Sequence, residues 1–86
     1  MHKILHITPG EILQNDFLIP MGITVAQLSR TTGICENVLN DILLGQGRIT
    51  AEIGLRLSLY FNTSPLFWVG IQNQLDLRKI SEGKII

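Results

Sequence analysis

Apolar positions recur three or four residues apart along most of the chain, and no stretch keeps the two-residue alternation of a half-buried strand. The first block, Ile12, Leu13, Phe17 and Leu18, predicts the buried face of a helix that opens at Thr8-Pro9-Gly10-Glu11. Thr8 caps it, Pro9 takes the first turn where its missing N–H costs nothing, and Glu11 completes a capping box. Pro20 is expected to stop this helix, with Met21-Gly22 as the bend beyond it. Thr24 caps a second helix with Gln27 three residues on; Val25 and Leu28 share a face, and Ala26 and Ser29 are small enough for a close helix contact. Gly33 ends that helix in the left-handed conformation, and Ile34 is placed to plug the corner. A third helix should run from about Glu36 to Leu44, burying Val38, Leu39, Ile42 and Leu43, with Gly45 past its end. After the loop Gln46-Gly47-Arg48-Ile49, Thr50 caps a fourth helix to about Phe61. Ser64-Pro65 opens a fifth to about Lys79, with Phe67, Trp68, Ile71, Leu75 and Leu77 as its apolar residues. Residues 1–7 read as a loose arm and 81–86 as a loose tail. The pattern predicts one all-α domain of five helices over residues 1–86.

Helices two and three, residues 24–45, have the layout of a DNA-reading helix-turn-helix. On spacing alone an αα-hairpin inside any small helical bundle fits equally well. In the DNA-binding form the second helix of the pair lies in the major groove and its early residues meet base edges. Here these are Glu36, Asn37 and Asn40. The asparagines can donate to and accept from a base edge, adenine being the natural partner, and a carboxylate can accept from cytosine N4. Arg48, just past this helix, is expected at a phosphate. Arg30 flanks the backbone or is simply solvated. Arg56 interrupts an apolar helix and can pair with Glu52 at i, i+4.

Composition adds constraints. The chain has 86 residues, 45% hydrophobic and only 16% charged, with seven Lys and Arg against seven Asp and Glu. The charged share is below the usual quarter, which suits a chain that keeps a lasting partner or self-associates. Zero net charge is unusual for a DNA binder, since phosphate neutralisation supplies much of the affinity. A single cysteine, Cys35, makes no internal disulfide and suits a reducing compartment, and with neither a secretory signal nor a membrane span the expected location is the cytoplasm. His2 and His6 have a chelating spacing but no third ligand nearby, so no metal site or cofactor is expected. Cys35 has no histidine partner for nucleophilic work and reads as a buried or half-buried thiol. At least one of Phe67 and Trp68 is expected in the core. No nucleophile–base or two-carboxylate grouping supports an enzyme.

With the helices placed, the chain resembles HigA-type antitoxins of the lambda-repressor-like (XRE) helix-turn-helix family. The resemblance rests on Pro9-Gly10-Glu11-Ile12-Leu13, on Asp16, Phe17, Leu18 and Pro20, and on Leu28, Gly33, Asn40, Ile42, Leu43 and Gly45 in register. It continues through Ile49-Thr50-Ala51, Leu55-Arg56-Leu57, Thr63-Ser64-Pro65 with Phe67 and Trp68, and closes at Gln72 and Asp76-Leu77. It covers about residues 8 to 77. Three positions depart from the family pattern: Val25 stands where Gln is usual, Cys35 where a Ser cap is usual, and Glu36-Asn37-Val38 where the recognition helix is often basic or donor-rich.

The resemblance implies a lambda-repressor-like fold, a homodimer on double-stranded operator DNA, repression of the protein's own operon, and neutralisation of a HigB-type mRNA-cleaving toxin. A dimer is also expected because a single helix-turn-helix reads too few base pairs. The fifth helix carries more apolar residues than a core of this size needs, which points to Ile71, Leu75 and Leu77, with the tail from Ile80, as the contact. Helix one and the arm, with Ile4, Leu5 and Ile7, are the first choice for the toxin. The arm folding back on its own core is the competing reading. A solitary regulator, or a protein-interaction module that has lost operator affinity, is the alternative function.

Overall fold

Thr8 opens the first helix as the sequence predicts: its Oγ1 accepts the Glu11 N–H at 3.2 Å, and Glu11 Oε1 accepts the Thr8 N–H at 3.1 Å. The computed structural model describes residues 8–84, so the arm at 1–7, with His2 and His6, and residues 85–86 lie outside the described residues. Among the described residues all regular structure is helical, in five helices. Helix α1 is three consecutive pieces: α-helical Pro9–Ile12, π-helical Leu13–Leu18 and α-helical Ile19–Met21. Helix α2 is Val25–Thr32, α3 is Glu36–Leu43, α4 is Ala51–Phe61 and α5 is Pro65–Lys84.

Two helix ends differ from expectation. Pro20 does not stop α1; the helix runs through it and ends at Gly22, whose φ of 66° is left-handed. In a regular α-helix the proline ring collides with the carbonyl four residues back. Here the preceding turn is widened to π geometry, with the Ile19 N–H reaching back to the Gln14 carbonyl, and this opens the space the ring needs. At the other end Ser81–Gly83 are helical rather than a loose tail. Serine and glutamate cost a helix at most about 0.7 kcal/mol each relative to alanine and a glycine about 1, too little to break one already under way.

The core is one cluster of Leu13, Leu18, Leu28, Ile34, Leu39, Ile42, Ile49, Leu57 and Trp68, so every helix and both loops around α3 contribute. Ile12 and Phe17 are only half-buried, and Ile34 does fill the corner between α2 and α3. Trp68 is fully buried and donates its Nε1–H to Thr63 Oγ1 at 2.9 Å, so its polar edge is satisfied. Phe17 lies 5.0 Å from it and 4.7 Å from Phe61 between ring centroids, joining α1 to α4 and α5. Phe67, by contrast, is 40% exposed, so only one of the two neighbouring aromatics belongs to the core.

Gly10 sets how α1 meets α3. A Cβ there would overlap the Ile42 carbonyl oxygen and stand 2.9 Å from the Leu43 Cα, both backbone atoms that cannot swing aside. Gly10→Ala is therefore expected to push the last turn of α3 away from α1 and to destabilise the fold by about 1–3 kcal/mol, as overpacking does. Urea denaturation of the two proteins measures this; an unchanged midpoint would show that the contact yields freely.

Candidate nucleic-acid interface

The start of α2 and the turn from α2 to α3 are framed mostly by local hydrogen bonds. Thr24 Oγ1 accepts the Gln27 N–H at 3.1 Å, and Gln27 Oε1 accepts the Thr24 N–H at 2.8 Å, the expected capping box. Gly33 closes α2 with φ 79°, and its N–H reaches the Ser29 carbonyl at 2.8 Å. The Ser29 hydroxyl donates to the Ile34 carbonyl at 2.5 Å, and the Ile34 N–H donates to Thr32 Oγ1 at 3.2 Å. Arg56 pairs with Glu52 as its spacing suggests, and it also donates from Nη1 to the Thr32 carbonyl at 2.8 Å. A residue with a side chain at Gly33 would be strained at φ 79° and would also displace that same Nη1, which it would meet at 2.9 Å.

Helix α3 buries Leu39 and Ile42, while Leu43 is half-buried. At 3.6 residues per turn, Asn37 and Asp41 point directly away from that face. Glu36, Asn37, Asn40 and Asp41 are all exposed. An open cleft of about 420 Å³ runs between α1 and α3, and Asn40 lines it together with Glu11, Gln14, Asn15 and Leu44. Asn40 is thus turned towards α1, whereas Asn37 faces outward. Val38 departs from the expected buried stripe: it is 39% exposed, because it lies about 100° round the helix from Leu39, at the flank of the buried face. Cys35 is exposed rather than buried or half-buried. It is the N-cap of α3 and makes no side-chain capping bond, and its neighbour Ile34 takes the interior place.

Of the two arginines expected near phosphate, Arg30 is exposed in the last turn of α2. Arg48 is not simply solvated. Its Nη1 and Nη2 donate to the two carboxylate oxygens of Asp76 on α5, at 2.9 and 2.7 Å. Gln72, one turn earlier and buried, donates from Nε2 to Asp76 Oδ1 at 3.1 Å and accepts the Ile49 N–H on Oε1 at 2.9 Å. The loop following α3 is thereby fixed to α5 by both backbone and side chain. Sequence reasoning assigned neither Gln72 nor Asp76 a role. Their i, i+4 spacing, continuing the face that begins at Trp68, was the available signal. Ile71 and Leu75 are half-buried within the chain itself, and Ile71 packs on the core; Leu77 is 65% exposed and Ile80 56%.

No family model matches the chain. It is 35% identical over 71 residues to antitoxin HigA-1 of Vibrio cholerae, covering 83% of this chain and 67% of that protein. It is 33% identical over 75 residues to an uncharacterized helix-turn-helix-type transcriptional regulator of Haemophilus influenzae, covering 87% of this chain and 70% of the relative. The Pseudomonas aeruginosa antitoxin HigA, solved with the higBA promoter, superposes with a TM-score of 0.86 at 36% identity, over 90% of this chain and 84% of that one.

The Arg48 pair has a measurable signature. Two N–H groups of Arg48 and the Gln72 amide hold the Asp76 carboxyl down from its ordinary 3.8 to about 2. A carboxyl lowered in the folded state stabilises fully above its ordinary pKa, and that contribution disappears as pH falls from about 4 towards 2. A carbon-detected titration of the Asp76 carboxyl should give a midpoint near 2, moving back up towards the ordinary value in Arg48→Ala. A midpoint near the ordinary value in the unmodified protein would mean that the pair does not persist in solution.

Proposed function

The chain belongs to the HigA family of helix-turn-helix antitoxins and transcriptional regulators, and from that premise we propose that it binds operator DNA as a homodimer, represses its own operon and neutralises a HigB-type toxin in the cytoplasm. The observation that carries the DNA reading is the two-sidedness of α3: Leu39 and Ile42 are in the core, Asn37 faces directly away from them, and Glu36 and Asn40 are exposed beside it. A helix held from behind with amide side chains in front is the geometry that reads a major groove. Arg48 and Arg30, at the exit of α3 and the end of α2, flank it where backbone phosphates would run. The whole of residues 1–86 acts in this reading as a single domain, with no cofactor and no catalytic step.

Dimerisation is supported by α5. It is 20 residues long, and its C-terminal half exposes Leu77 and Ile80 three residues apart, on one side. Ile71 packs on the core and Leu75 is half-buried, and both would add the inner rim of that contact. For the toxin, α1 offers exposed Ile19 and Met21. The even balance of charge, with Arg48 and Arg56 both engaged by carboxylates, favours the alternative of a module that uses protein rather than DNA contacts.

Retention of DNA from immediately upstream of the gene separates the two readings. At low salt the protein should retain it; Asn37→Ala should cost about 1–3 kcal/mol and relax preference at one base pair. Arg48→Ala should weaken all sequences alike and lower the salt slope by about one. The same preparations should scatter light as dimers, and Leu77→Asp should give the protomer mass with weaker retention. Failure to retain the upstream DNA at any salt removes the repressor reading. For the antitoxin role, co-expression with the product of the neighbouring gene should rescue growth and yield a complex, and Ile19→Asp should weaken that complex. Absence of both rescue and co-purification leaves a solitary regulator.

A further inference from the structure

We propose that Asp76 is a positioning residue for DNA binding, holding the Arg48 guanidinium by its far end so that the remaining edge is presented to a backbone phosphate. The inference rests on the reading that α3 and the loop after it face operator DNA. Arg48 stands in a loop, where nothing in its own backbone fixes the side chain. Asp76 supplies that restraint from a helix, and it is itself oriented: Gln72, only 3% exposed, is fixed by the Ile49 N–H and bonds Asp76 Oδ1 in turn.

A guanidinium carries five N–H groups. The fork to Asp76 takes one from Nη1 and one from Nη2. The Nε–H and the adjacent second hydrogen of Nη2 remain, and they form another fork of the kind that takes a phosphate through two parallel bonds. The side chain of Arg48 is 61% exposed and that of Asp76 28%, so an anion arriving from solvent meets the cation first and the carboxylate behind it. Restraining the arginine before DNA arrives removes the rotamer freedom it would otherwise lose on binding. The lowered Asp76 pKa keeps its carboxyl ionised, and the fork to Arg48 charged at both ends, at neutral pH.

Simple charge repulsion makes the opposite prediction, which renders the idea decidable. Removing a carboxylate close to phosphate should by itself tighten binding to every sequence. If Asp76 positions Arg48, removing it should loosen binding instead. Operator retention is measured over a salt series for the unmodified protein, Asp76→Asn, Arg48→Lys, Arg48→Ala and the Arg48→Ala/Asp76→Asn double variant, with circular dichroism confirming that each is folded. Asp76→Asn is expected to weaken retention about 5–10-fold, with a similar loss for Arg48→Lys, which keeps the charge but lacks the fork. In the Arg48→Ala background the Asp76 change should have no further effect. Equal or tighter binding by Asp76→Asn overturns the proposal. So does a full second loss in the double variant, which would place the effect in the fold rather than in Arg48, and so does unmodified binding by Arg48→Lys. These outcomes leave the operator reading standing. No retention of the unmodified protein overturns both.

Discussion

The last turn of α3 rests on the backbone of α1 at Gly10, with no side chain between them. That approach, together with Leu39 and Ile42 in the core, fixes the outward face of α3 from behind. A recognition surface works only if its side chains keep their positions when a partner arrives, because any slack must be removed at binding. The hydrogen-bonded turn on one side and the Gln72–Ile49 bond on the other complete the mounting, so α3 is held at its start, its middle and its exit.

The charges of the chain are arranged for placement as much as for attraction. Arg56 reaches from α4 to the carbonyl at the end of α2, with Glu52 steadying it. Arg48 reaches from the loop to α5. Exposed ion pairs of this kind contribute little to stability, but each adds a polar restraint to a loop or turn that the small apolar core anchors through only one residue, Ile34 or Ile49. The cost falls on long-range attraction for DNA: a chain of zero net charge depends on local geometry rather than on its overall field. Helix α5 lies at the centre of this arrangement. Trp68, Gln72 and Asp76, in one i, i+4 row, serve the interior and the loop, and the last turns of the helix bare Leu77 and Ile80 on its outer side. A partner seated on the outer side would therefore stiffen the element that holds the loop after α3.

Much of the fold was legible in the sequence because its signals are local. Thr8, Thr24, Thr50 and Ser64 each cap the helix predicted for them, and Gly33 takes the left-handed conformation its place requires. Capping and turn chemistry involve residues two to four apart, so they can be read without knowing the fold. The periodic blocks identified most of the core, including Leu28, Leu39, Ile42 and Trp68. The all-α class and the kinship with HigA antitoxins followed from these same local blocks taken in order.

What the tertiary structure alone decided depends on neighbours distant along the chain. Val38 has the spacing of a buried residue, but how much of α3 is covered depends on how α1 and the 46–49 loop lie against it. Cys35 is exposed because Ile34 reached the interior first. Pro20 stays helical because the turn before it widens, a distortion that packing of Leu13 and Leu18 sustains and local propensity does not foretell. The pairing of Arg48 with Asp76 spans 28 residues, and no periodicity links its two ends. Sequence determined where helices begin, end and turn their apolar faces, since backbone hydrogen bonding and side-chain spacing act over a few residues. Which exposed groups stand free and which are held was settled only when helices remote in sequence came into contact.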